Sequence, residues 1–141
     1  MRIAFGVLLV LVLAAAAPAV AQDVHDVAVS ISVSPPAVPS GSSFTATAGV
    51  ANQGTQGEWV KLVIAFEGPC VRCVRSRLAW VPEGASISIS TAFKTGRRMP
   101  GGDYTVTADA YIIHSELDQT VIPDDDPADN HAETVVTVDG R

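Results

Sequence analysis

Two cysteines, a run of acids and a set of basic residues are the side chains here whose types and spacing suit chemistry. Cys70 and Cys73 stand in Gly68-Pro69-Cys70-Val71-Arg72-Cys73. Residues i and i+3 of an extended strand are about 10 Å apart, whereas a disulfide wants its Cα atoms within about 7 Å. A β-turn brings i and i+3 inside that limit, and Gly68-Pro69 favours a turn. A disulfide that staples a hairpin tip is therefore the leading reading, provided the compartment is oxidising. Pairing between chains, or free thiols, is a second reading. A redox-active pair is a third: C-x-x-C has the spacing, but such sites use a helix N-terminus to lower the thiol pKa, and no helical periodicity is present here. A metal site is a fourth, although two cysteines supply only half a zinc ligand set. Haem attachment needs His directly after the second cysteine, and Val74 stands there.

The acids concentrate in Asp124-Asp125-Asp126-Pro127-Ala128-Asp129-Asn130. Calcium takes six to eight oxygen ligands, so Asp124, Asp126 and Asp129 are candidate ligands. The spacing is not that of an EF-hand, since Ala128 occupies a ligand position and no Gly follows it. Pro127 and the accumulated charge suit a solvated turn equally well. Among the basic residues, Lys61, Arg75 and Arg77 fall on what alternation predicts to be the outward phase of adjacent strands, with Arg72 in the loop between. Together they form a candidate docking face for an anionic polymer or acidic partner. The plainer reading, which we favour, is a solvated strand face whose arginines discourage edge-to-edge pairing. His114 and His131 are isolated in sequence and read as surface or packing groups.

No G-x-S-x-G elbow, H-E-x-x-H pair or phosphate loop occurs, so no catalytic residues and no cofactor are assigned and an enzyme is not expected. The N-terminus explains where such a chain works. Arg2 supplies a positive n-region, Ile3 to Ala17 is apolar apart from Gly6, and Ala19-Val20-Ala21 places small residues at a peptidase site. Residues 1–21 thus read as a signal-peptide helix, cleaved near Ala21, with a mature domain over 22–141 that is secreted or periplasmic. A retained anchor needs roughly 20 apolar residues. No second apolar span follows, so no transmembrane segment is expected after cleavage. The mature part carries 15 acidic and eight basic residues, a net of −7, which argues against nucleic-acid binding. The charge is segregated: residues 22–58 carry −3, 59–98 carry +5 and 99–141 carry −9.

Holding these residues in place requires β-structure throughout. Val27 to Ser34 alternates apolar and polar until Pro35-Pro36. Phe44, Ala46, Ala48 and Val50 form the next inward row, and Val60, Leu62, Ile64 and Phe66 the third. The reverse side of that third run is also partly apolar, which predicts a central strand. Val74, Ser76, Leu78 and Trp80 read as a fourth inward row. Ile87, Ile89, Thr91 and Phe93 follow, then Tyr104, Val106, Ala108, Ala110 and Ile112, and finally Thr134, Val136 and Val138. Seven short strands with turn signals between them predict an all-β, antiparallel, immunoglobulin-like sandwich, with a small barrel as the rival. Pro100-Gly101-Gly102-Asp103-Tyr104 turns tightly enough for the phenol of Tyr104 to reach back to the backbone, as in a tyrosine corner.

Several of these segments resemble bacterial CARDB modules (cell-adhesion-related domains). They are Asp26-Val27-Ala28-Val29, Pro35-Pro36-Ala37-Val38-Pro39-Ser40-Gly41, Val50-Ala51-Asn52-Gln53-Gly54, Val81-Pro82-Glu83-Gly84-Ala85, Pro100-Gly101-Gly102-Asp103-Tyr104-Thr105-Val106 and Asp129-Asn130. The resemblance spans about residues 26–138; the loop from Ser115 to Asn130 and the two cysteines depart from it. It implies an immunoglobulin-like fold and an accessory or adhesion role outside the cytoplasm, with no catalytic residues. The expectation is a non-enzymatic binding or structural module presenting a sheet face or loops to a protein or cell-envelope polymer. An envelope thiol-redox or assembly-helper protein using Cys70 and Cys73 is the alternative.

Overall fold

The computed structural model describes residues 21–69 and 73–140, and the signal-peptide reading therefore lies outside the described residues. Eight strands follow one another: β1 (Val27–Ser34), β2 (Ala37–Pro39), β3 (Ser43–Asn52), β4 (Glu58–Phe66), β5 (Val74–Val81), β6 (Ser86–Lys94), β7 (Gly102–Ile113) and β8 (His131–Asp139). They form a three-stranded sheet in the order β1-β3-β6 and a five-stranded sheet in the order β2-β8-β7-β4-β5. The inner faces pack against each other as the immunoglobulin-like sandwich expected from alternation.

The count is eight where sequence predicts seven. The extra strand, β2, has three residues, of which only Val38 is buried, so period-two alternation has no room to show itself. It pairs in parallel with β8, from Ala37 opposite Thr137 to Pro39 opposite Asp139. The break at Pro35-Pro36 thus moves the chain from the edge of the smaller sheet to the edge of the larger one.

β4 is central, between β5 and β7, as its two-sided apolar pattern predicts. Its inward row Val60, Leu62, Ile64 and Phe66 is buried against Phe44, Ala46, Ala48 and Val50 from β3 and the inward rows of β7 and β8. Alanines in mid-strand let the two sheets approach closely, while the aromatic groups gather at one end. There the Phe44 ring lies 5.1 Å from Phe66, edge on, and 5.6 Å from Phe93, stacked. Tyr104 joins them 6.0 Å from Phe66 and donates its hydroxyl to the Pro100 carbonyl at 2.9 Å, which is the predicted tyrosine-corner contact. At the other end the buried Asn52 ties the β3–β4 turn together. Its Nδ2 donates to Gln56 O and Val81 O, and its Oδ1 accepts from Gly54 N–H.

The predicted phase of β5 is inverted. Arg75 pairs with Ile64 and Arg77 with Leu62, both inward-facing, whereas Lys61 pairs with Leu78 on the outer face. Val74, Ser76, Leu78 and Trp80 therefore point away from the core. The reason is the unequal size of the sheets. Three strands do not fully cover five, so the inward positions of edge strand β5 overhang the rim, where arginines are tolerated. Arg75 uses this position to lay its guanidinium over the Phe93 ring, 5.7 Å from the centroid.

Candidate functional site

The proposed basic face of Lys61, Arg72, Arg75 and Arg77 is not assembled as sequence predicts. Lys61 lies on the outer face of the five-stranded sheet, Arg75 and Arg77 lie on the inner phase of its edge, and Arg72 is outside the described residues. Inward-pointing charge on an edge strand is a known guard against pairing with another chain, which is the plainer of the two readings. Cys70 also lies outside the described residues, so the staple concerns a segment of which only one end is seen. That end is defined: Phe66 N–H donates to the Cys73 carbonyl at 2.8 Å, carrying the β4–β5 ladder to Cys73. Gly68, just after β4, lies close to Met99 Cε.

The acidic loop does something that its sequence does not suggest. β1 is an edge strand, and three of the N–H groups along it and its lead-in, at His25, Val27 and Val29, have no strand partner on the outer side. The loop supplies acceptors for all three: Asp125 Oδ2 at 2.8 Å, Asp124 Oδ2 at 3.0 Å and the Asp129 carbonyl at 2.9 Å. The other Asp124 oxygen accepts from Asp126 N–H at 2.7 Å, and Asp126 Oδ1 from Ala128 N–H at 3.3 Å. The carboxylates of Asp124 and Asp126 that could have served calcium thus already bond backbone. Among the described residues no group of three His, Cys, Asp or Glu is arranged to hold a metal ion. Clustering has a consequence of its own. Burial first, then the negative charges of Asp129, Asp124, Asp126 and Asp125, raises the Asp26 pKa above its ordinary value. Asp129 is raised by burial and by Asp126 and Asp124. The Oδ1 atoms of Asp26, Asp129 and Asn130 are buried with no hydrogen-bond partner.

No family model matches the chain, and no curated protein does. Solved structures do. The crystal structure of a CARDB domain from Pyrococcus furiosus, in complex with di-metal ions, aligns with a TM-score of 0.63 over 82% of this chain and 90% of that one, at 18% identity. Its solution structure gives 0.63 over 83% and 97%, at 19% identity. The chain is CARDB-like in fold. A chain of the human zinc 2-glycoprotein and prolactin-inducible protein complex is also similar, with a TM-score of 0.55, 86% and 98% coverage and 15% identity.

The outer face of the larger sheet is the most distinctive surface of this CARDB-like sandwich. Trp59 and Trp80 sit directly opposite each other on β4 and β5, their rings 5.8 Å apart in an edge-to-face pair. Gly57 makes this possible, since a Cβ there would lie 2.2 Å from the Trp80 ring. Tyr111, which pairs with Lys61, continues the face onto β7, while the exposed Val74 and Val135 lie towards the far end of the same side of the sheet, beyond Asp109 and Glu133. Trp80 is 50% exposed, Tyr111 42%, Val74 59% and Val135 48%. Alternation predicts one polar face per strand, so inverting the phase of β5 is what hid this surface from sequence reasoning. His131 borders it, with Nδ1 2.7 Å from Asp109 Oδ1; that hydrogen bond raises the His131 pKa. A second pair missed in sequence is His25 Nδ1 at 2.8 Å from the buried Glu58 Oε1, which fastens the N-terminal lead-in to β4.

Proposed function

We propose that this chain is an exported, non-enzymatic adhesion-type module that presents the outer face of its five-stranded sheet to a protein or cell-envelope polymer. The observation that carries the reading is that aromatic face. Aromatic side chains supply large contact area at low conformational entropy cost, and aromatic groups gathered on an outer face, as Trp59, Trp80 and Tyr111 are, suit an interaction site. The similarity to CARDB domains supports the adhesion-type role, and Arg2, the apolar run to Ala17 and Ala19-Val20-Ala21 support export. Residues on this face are free to change without disturbing the core, because their partners are one another and solvent.

The test is capture of envelope material by the intact chain and by the double variant Trp80→Ala, Tyr111→Ala. The expected result is loss of capture with the far-ultraviolet circular dichroism spectrum retained. Unchanged capture by the folded double variant would remove the face from the proposal.

A further inference from the structure

The strands run lengthwise through the sandwich, so its loops divide between two ends. One end gathers the segments before β1 and between β3 and β4, β5 and β6, and β7 and β8. Among the described residues these carry Asp23, Asp26, Glu83, Glu116, Asp118, Asp124, Asp125, Asp126 and Asp129, with Glu58 at the first position of β4, and no Lys or Arg. The opposite end carries Lys94, Arg97 and Arg98 against Glu67, Asp103 and Asp139 among the described residues. A nine-residue strand such as β4 is about 30 Å long, against a screening length of about 8 Å at physiological salt. The opposite end is thus balanced in charge, and the acidic end is scarcely felt there despite the negative net charge.

At this balanced end the β6–β7 loop packs on the β2–β3 turn. Ser40 Oγ donates to the Met99 carbonyl at 2.6 Å, Gly41 N–H to Thr95 Oγ1 at 2.9 Å, and Thr95 N–H to the Ser42 carbonyl at 2.9 Å. Met99 is buried and anchors the loop in the core. Two adjoining clefts open here, of about 370 Å³ and about 290 Å³, and Ser40 and Arg97 line both. Arg98 and Gly101 complete the first, Gly41 and Ser42 the second, and no carboxylate lines either. Arg97 is held between them. Gly41 has φ +83°, and a Cβ there would stand 3.3 Å from Arg97 Cγ and 3.4 Å from its Cα. A glycine is thus required for the stem of Arg97 to lie on this turn. Neither guanidinium, nor the Ser42 hydroxyl, has a hydrogen-bond or ion-pair partner among the described residues.

We propose that the Arg97–Arg98 corner is a binding site for a terminal phosphate group, carried on a soluble polyphosphate chain or a lipid headgroup. Arg97 and Arg98 line the first cleft together, and their two guanidinium forks offer more donors than the two free oxygens of a carboxylate or a phosphodiester accept, whereas a terminal phosphate presents three oxygens around a tetrahedral centre. The site stands apart from the aromatic face, so either can fail without the other.

The experiment titrates the full chain with sodium tripolyphosphate, a short polyphosphate, and, separately, with phosphatidylcholine vesicles containing phosphatidic acid, at physiological salt. Both arginines are exposed, so Arg97→Glu with Arg98→Glu leaves the fold intact. It is expected to weaken binding about tenfold or more. Lys61→Glu with Arg77→Glu makes the same change in net charge away from the clefts and is expected to leave binding within about twofold. Saturable polyphosphate binding lost only in the Arg97/Arg98 variant supports the site on a soluble source. Vesicle binding lost in the same way supports it on a headgroup. No saturable binding of either probe, equal loss in the two double variants, or equally tight binding of poly-glutamate overturns the proposal.

Discussion

Replacing Asp124 by Ala tests whether the acidic loop is a structural clasp on β1. Val27 is fully buried, and its N–H finds its acceptor in Asp124 Oδ2 at 3.0 Å. The same side chain accepts from Asp126 N–H and so shapes the loop that carries the other two acceptors. A hydrogen bond to a charged acceptor contributes about 1.5–3 kcal/mol net, and a buried N–H left without a partner costs about 1–3 kcal/mol. Asp124→Ala is therefore expected to destabilise by about 2 kcal/mol, or a fall in Tm of roughly 6–12 °C for a domain of this size. Asp124→Asn retains one oxygen acceptor, turns an amide donor towards the other N–H and removes a negative charge beside Asp26, so it is expected to lose less than the Ala variant. Thermal and urea unfolding in chelator-treated buffer measure both variants, and amide exchange at Val27 localises the effect. If the Ala variant unfolds within about 0.5 kcal/mol of the parent, or the Asn variant is equally damaged, the clasp is not what the carboxylate contributes.

Two further outcomes follow from the same geometry. The Asp26 pKa is raised in the folded chain, so between its ordinary value of 3.8 and the raised one the folded state holds more protons than the unfolded state, and the contribution of Asp26 to stability falls as pH rises through that window. Asp26→Asn should accordingly raise Tm near neutral pH, with the gain shrinking towards the ordinary carboxylate value; a Tm difference independent of pH would contradict this. Gly57→Ala drives a methyl into the Trp80 ring and should destabilise by about 1–3 kcal/mol while red-shifting tryptophan emission as the Trp59–Trp80 pair opens. Unchanged emission would mean that the pair is not held by Gly57.

Sequence alone determined the class of fold and most of its inward rows. Phe44, Val106 and Val136 sit in runs where one face is largely apolar and the other largely polar, and burial then has only one solution, while the two-sided apolar run holding Leu62 and Ile64 marked a central strand. It also located the tyrosine corner, because Gly101-Gly102-Asp103 leaves Tyr104 within reach of Pro100. Alternation failed at β5, where both phases mix apolar and polar groups and an overhanging sheet edge lets arginine point inward. It failed at β2, too short to show a period. The working surfaces were decided by tertiary structure. The aromatic face exists because β4, β5 and β7 align their outer rows, and the basic clefts because a β2–β3 turn meets a β6–β7 loop more than fifty residues away. Periodicity reports which side of its own strand a residue takes. Which strands and loops become neighbours depends on pairing between distant segments, and that pairing placed ten acids at one end and, at the other, two arginines without a partner among the described residues.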